Sequence, residues 1–140
     1  MSALNKLMYT GFVPQTVHGV LDYPLAAVLI AGPLVFDFNS TAATVIALAL
    51  GGAATVLAVA TDWPTGIVKV IPPLVHGYID VLATVALIVL PFAVGFSDTT
   101  SALLFYVIVG GAGLLATLAT RFEPTHQMSA QSAMMSARAA

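Results

Sequence analysis

Two histidines and two aspartates carry the chemistry open to this chain, because they stand in a repeated pattern inside apolar sequence. His18 and Asp22 lie in Val17-His18-Gly19-Val20-Leu21-Asp22, and His76 and Asp80 lie in Val75-His76-Gly77-Tyr78-Ile79-Asp80. A spacing of four places His and Asp on one face of a helix. Three kinds of work suit such a set. The groups can bond reciprocally and lock two segments, His18 to Asp80 or Asp22 and His76 to the other. They can relay protons or cations within a membrane. They can hold a divalent metal, for which two imidazoles and two carboxylates are a fitting donor set. The lock is the leading expectation, since no residues in the sequence stand out as orienting the imidazoles around a metal. A proton or cation channel or transporter is the first alternative, and a membrane metal-binding protein the second. No other cofactor is expected.

The elements that position these groups come in two copies. Pro33 and Phe38 match Pro91 and Phe96 at the same 58-residue offset as the histidines and aspartates. Gly51-Gly52-Ala53 matches Gly110-Gly111-Ala112, and Thr61-Asp62-Trp63 matches Thr120-Arg121-Phe122, after a one-residue insertion near Asp98. The chain is a tandem duplication. Of its 140 residues 59% are hydrophobic and 7% charged, against about 25% charged in a soluble domain. Mean hydropathy is +1.00. Four nearly charge-free stretches, Thr16–Phe36, Thr41–Thr61, Pro72–Val94 and Ser101–Thr120, are long enough to cross a bilayer core of about 30 Å as helices. At about 1.5 Å per residue each aspartate lies roughly 10 Å inside its helix, where an unpaired charge is costly. The predicted fold is all-α: an integral membrane four-helix bundle built from two tandem two-helix repeats.

Five segments follow: a lead over 1–15, expected to be retained and not cleaved as a signal peptide; repeat 1 over 16–62; an interfacial linker over 63–71; repeat 2 over 72–121; and a tail over 122–140. Asp37-Phe38-Asn39-Ser40 and Ser97-Asp98-Thr99-Thr100 read as tight turns, with Ser40 or Thr41 capping the second helix. Gly51, Gly52, Gly110 and Gly111 belong to small-residue faces that let helices approach. Gly19 and Gly77 remove bulk beside each histidine, which would let the first and third helices approach. Trp63 is expected at the membrane interface. Asp62 and Arg121 hold equivalent positions with opposite charge and are a candidate ion pair. His126, in the tail, is expected to be solvated.

Lys6, Lys69, Arg121 and Arg138 all fall in the termini and the central linker. The positive-inside rule then puts both termini in the cytoplasm. The two repeats share one orientation, with a pseudo-twofold axis along the membrane normal. The chain has no cysteine, so disulfide and thiolate chemistry are excluded. No basic patch suggests nucleic acid. No nucleophile–base set, phosphate loop or redox-cofactor motif is present, and an enzyme is not expected.

The duplicated unit opens with His-x-x-x-Asp and carries a Pro-aromatic or Pro-apolar pair before an x-Phe or Gly-Phe turn. Over Val17–Phe38 and Val75–Phe96, and more broadly over residues 13–122, it resembles the SPW-repeat membrane proteins of bacteria. The naming triplet stands here as Gly32-Pro33-Leu34 and Leu90-Pro91-Phe92, with the proline alone kept. The resemblance implies a four-helix protein of the bacterial inner membrane and adds no substrate. A structural, accessory or interaction role is the expectation, with the lipid bilayer, a second copy or another membrane protein as partners.

Overall fold

The structure, a computed structural model, describes residues 3–122 and 126–139, apart from the side chains of Asn5 and residues 126–132. His126 and its expected solvation thus lie outside the described side chains. The order of elements is α1 (Ala3–Thr10), β1 (Val13–Pro14), α2 (Gln15–Val35), α3 (Thr41–Ala60), α4 (Pro73–Val94), α5 (Thr100–Ala119), β2 (Thr120–Arg121) and α6 (His126–Ala139). The helices α2 to α5 are each long and apolar enough to cross a membrane. They match the four predicted spans to within one residue at each end.

Local chemistry sets the helix limits. Pro14 precedes α2, and Pro73 opens α4, where a missing N–H leaves no bond unmade. Ser40 caps α3 by accepting the Ala43 N–H at 3.3 Å. Gly95 ends α4 in the left-handed region at φ 85°, a conformation glycine enters without steric cost. The turns after α2 and α4 are short, so each repeat closes as an antiparallel hairpin. Within each hairpin the packing is extensive. Between hairpins it is thinner and runs mainly along narrower α2–α5 and α3–α4 seams.

Lipid tails are as apolar as leucine, so close fit holds membrane helices together, and small residues permit it. A Cβ on Gly51 would stand 2.7 Å from Ile30 Cγ1 and 3.1 Å from the Ala26 carbonyl oxygen of α2. One on Gly110 would stand 2.9 Å from both Ile88 Cγ1 and the Thr84 carbonyl oxygen of α4. Gly52 and Gly111 do not share this role: a Cβ on either meets nothing within 4 Å. Each is one helical step, about 100°, round from its neighbour and has turned away from the contact.

An apolar cluster fills the end of the bundle near the two tight turns, with Leu29, Phe38, Leu87, Phe96, Phe105 and Tyr106 at its centre. The Tyr106 hydroxyl donates to the Ala43 carbonyl at 2.6 Å, from α5 to α3 across the repeats. At the opposite end the lead and the linker fold over the bundle. β1 and β2 pair in parallel, Val13 with Thr120 and Pro14 with Arg121. The linker hangs from the end of α3 through Asp62 N–H to Ile71 O (2.8 Å) and Val70 N–H to Ala60 O (2.9 Å).

The lead is not merely a polar extension, because α1 carries Met8, fully buried against Trp63 and Phe122. Phe122 likewise belongs to the packed fold and not to the tail. Trp63 is 1% exposed and donates its indole N–H to the Ala58 carbonyl at 3.3 Å. It is an interior ring rather than an interfacial anchor.

Candidate functional site

His18 and Asp22 sit one turn apart in the first part of α2, and His76 and Asp80 do the same in α4. The pseudo-twofold arrangement turns the two faces together. His18 Nε2 lies 2.9 Å from Asp80 Oδ2 and 3.4 Å from Asp22 Oδ1. His76 Nε2 lies 2.9 Å from Asp80 Oδ2 and 3.2 Å from Asp22 Oδ2. Each imidazole thus meets both carboxylates, its own and that of the other repeat. His18, Asp22 and His76 are buried and Asp80 is nearly so. Within this ring, Asp22 Oδ2 and His76 Nε2 are buried 3.2 Å apart, and neither makes a hydrogen bond of good geometry.

The other nitrogen of each imidazole is held by a threonine of the opposite repeat. His76 Nδ1 is 2.8 Å from Thr61 Oγ1, and His18 Nδ1 is 3.0 Å from Thr120 Oγ1. Both hydroxyls also reach the carbonyl four residues back, Thr61 to Leu57 at 2.6 Å and Thr120 to Ala116 at 2.7 Å. A carbonyl oxygen can only accept. Each hydroxyl therefore donates to its carbonyl and accepts from Nδ1–H. Both imidazoles thus carry a proton on Nδ1 and face the carboxylates with Nε2, where a direct bond needs a further proton on Nε2 or on the carboxylate and a bound cation needs none. Residues that orient the imidazoles do exist, contrary to the reading of the sequence. Their signal was the match of Thr61 with Thr120 in the repeat alignment.

Gly19 and Gly77 also act differently from expectation. A Cβ on Gly19 would stand 3.0 Å from the Trp63 ring, and one on Gly77 would stand 2.8 Å from the Phe122 ring. The missing side chains make room for two aromatic rings and not for a close approach of α2 to α4. The rings roof the cluster: Trp63 lies 4.2 Å from the His76 ring centroid and Phe122 lies 5.5 Å from that of His18. Below the roof, His18, Asp22 and Asp80 border a cavity of about 730 Å³ walled by apolar residues such as Leu25, Leu57, Leu87 and Ala116.

Asp62 and Arg121 each follow the threonine that meets a histidine. They share the roofed end of the bundle. Asp62 is half-buried and Arg121 is exposed.

Duplicated hairpins, four membrane-length helices and a polar cluster joining the halves define a small polytopic membrane protein. The model of the SPW repeat domain matches residues 16–120, and the chain belongs to that family. Neither a curated protein nor a solved structure matches it.

Proposed function

We propose that the protein is a structural or accessory component of the bacterial inner membrane, both termini cytoplasmic, without catalytic activity, and that the His/Asp cluster fastens its two hairpins into one unit. The carrying observation is the crosswise wiring. Every bond from His18 and His76 that leaves its own helix ends on the other repeat or its flanking turn, while the hairpins otherwise meet along narrow seams. Charged groups at this depth persist only when paired, and here pairing requires both repeats in register.

The relay reading finds less support. Among the described residues, the threonines deeper in the bundle are spent on their own helices, and the Tyr106 hydroxyl on the Ala43 carbonyl of α3. Thr84 donates to the Asp80 carbonyl, Thr117 to Gly113 and Thr55 to Gly51. The aromatic and aliphatic cluster closes the far end.

Thermal unfolding in detergent and proton flux in liposomes, measured on the same variants, test this role. His18→Leu, His76→Leu, Asp22→Leu and Asp80→Leu should each destabilise the protein by about 1–3 kcal/mol, because each strands its buried partner. Wild-type liposomes should show no flux above empty ones. Variants of unchanged stability, together with a wild-type flux that they lose, would replace the fastener with a relay.

A further inference from the structure

We propose that His18, Asp22, His76 and Asp80 form an intramembrane site for one divalent transition metal of the zinc class, which acts as the fastener between the repeats. This rests on the joining role assigned above to the cluster and supplies its chemical agent.

Four observations converge on it. One ligand atom from each residue lies within 4.8 Å of all the others. Zinc bound by imidazole nitrogen and carboxylate oxygen at about 2.0–2.2 Å has tetrahedral ligand–ligand edges of roughly 3.3–3.6 Å. The N···O contacts here run from 2.9 to 3.4 Å and the set spans at most 4.8 Å, so the tetrahedron closes when the short edges lengthen and the longest one draws in.

Asp22 Oδ2 and His76 Nε2 are buried 3.2 Å apart, yet neither makes a hydrogen bond of good geometry to the other or to any further group. Buried polar atoms are almost always satisfied, and a cation at the centre of the set would satisfy both. The threonines supply the third observation. With Nδ1–H donated to Thr61 or Thr120, Nε2 offers its lone pair inward, the tautomer that metal-bound histidines adopt through such outer partners. Charge supplies the fourth. Two carboxylates, two neutral imidazoles and one divalent ion sum to zero, which suits a site deep in a helix bundle.

The donor set narrows the ion. Calcium takes six to eight oxygen ligands and magnesium keeps several waters, and two imidazoles inside a roofed pocket suit neither. Four protein ligands leave no open position, the arrangement of a structural rather than a catalytic zinc site.

The test uses the full-length protein in detergent, with zinc as the probe. After chelation and dialysis against Zn²⁺, elemental analysis should find one zinc per chain. Cobalt substitution should give the intense visible bands of a tetrahedral site. Chelation should lower the unfolding temperature and zinc should restore it. His76→Gln and Asp80→Asn should lose retained metal, whereas Asp62→Asn should keep it. Thr61→Val should weaken zinc affinity about 10- to 100-fold, and Thr61→Ser should recover it.

Zinc that is washed away by dialysis, with an unfolding temperature indifferent to chelator, overturns the metal site. So does zinc retained equally by a variant lacking all four ligands. The double variant His18→Leu/Asp80→Leu separates the two proposals. Where the wild type retains no zinc, recovery of the single-variant losses in the double variant means direct His–Asp bonds, so the joining role stands and the metal falls. Single variants as stable as wild type overturn the joining role itself. The wild-type zinc and cobalt measurements decide the metal even where a variant fails to fold.

Discussion

Thr120 and His18 lie 102 residues apart in the chain, yet the Thr120 hydroxyl oxygen stands 3.0 Å from His18 Nδ1. Thr61 stands in the same relation to His76 at 2.8 Å. The threonine ending each repeat thus orients the histidine that opens the other. Thr61→Val and Thr120→Val each remove one acceptor and leave a buried Nδ1–H unbonded, so each should cost about 1–3 kcal/mol. Serine at either position should restore most of that loss. The two residues serve one network, so the double variant should depart from additivity. Thermal unfolding of the four single variants and the double variant in detergent checks this. Additive losses would mean that the two threonines act only on their own helices.

The paired glycines give a sharper contrast. Gly51→Ala and Gly110→Ala push a methyl into Ile30 and Ala26, or Ile88 and Thr84, and overpacking of this kind costs about 1–3 kcal/mol. Gly52→Ala and Gly111→Ala meet open space. There the gain in helix propensity should leave stability unchanged or raise it by up to about 1 kcal/mol. The four variants differ by one methyl each, and their unfolding temperatures should separate into two pairs. Equal losses at all four would remove the packing argument.

The glycine pairs also show how far the sequence could be read. Hydropathy and the internal repeat determine four spans and two hairpins, because both are signals summed over many residues. His18, Asp22, His76 and Asp80 were legible because a charge in apolar sequence is costly enough to need a reason. Which glycine of each pair faces a neighbour depends on the rotation of the helix about its axis, and a nearly uniform apolar span does not fix that rotation. Thr61 and Thr120 were visible as a match, but threonine at a helix end has a local explanation in its bond to the carbonyl four residues back. Their crosswise approach to the histidines is a property of the assembled repeats. Met8, Trp63 and Phe122 lie in three separate segments, and only their convergence over the cluster makes a roof of them.

The proposed orientation rests on where the cations gather. Lys6 lies in α1, Lys69 in the linker and Arg121 in β2, all at the roofed end. The Asp37 and Asp98 turns lie at the other. Reporter fusions after Lys69 and Ala140 should read as cytoplasmic, and fusions after Asp37 and Asp98 as periplasmic. Replacing Lys6 and Lys69 together with glutamine should weaken that bias. A cytoplasmic signal from either tight turn would reverse the proposed topology.

Tyr106 fastens the repeats at the end away from the His/Asp cluster. Its hydroxyl is buried and donates to the Ala43 carbonyl at 2.6 Å, in the first turn of α3. Tyr106→Phe keeps the ring against Phe38, Phe96 and Phe105 and removes that bond alone. The Ala43 carbonyl already faces its own helix, so it is not left wholly unpaired. The loss should therefore stay near 0.6 kcal/mol, the average for interhelical hydrogen bonds in membranes. It should also add to the loss in His18→Leu, since the two fasteners occupy opposite ends of the bundle and share no partner. Unfolding of Tyr106→Phe, His18→Leu and the double variant in one detergent measures this. A double variant much less stable than the sum would mean that the two ends fail together, and that the bundle has one joint and not two.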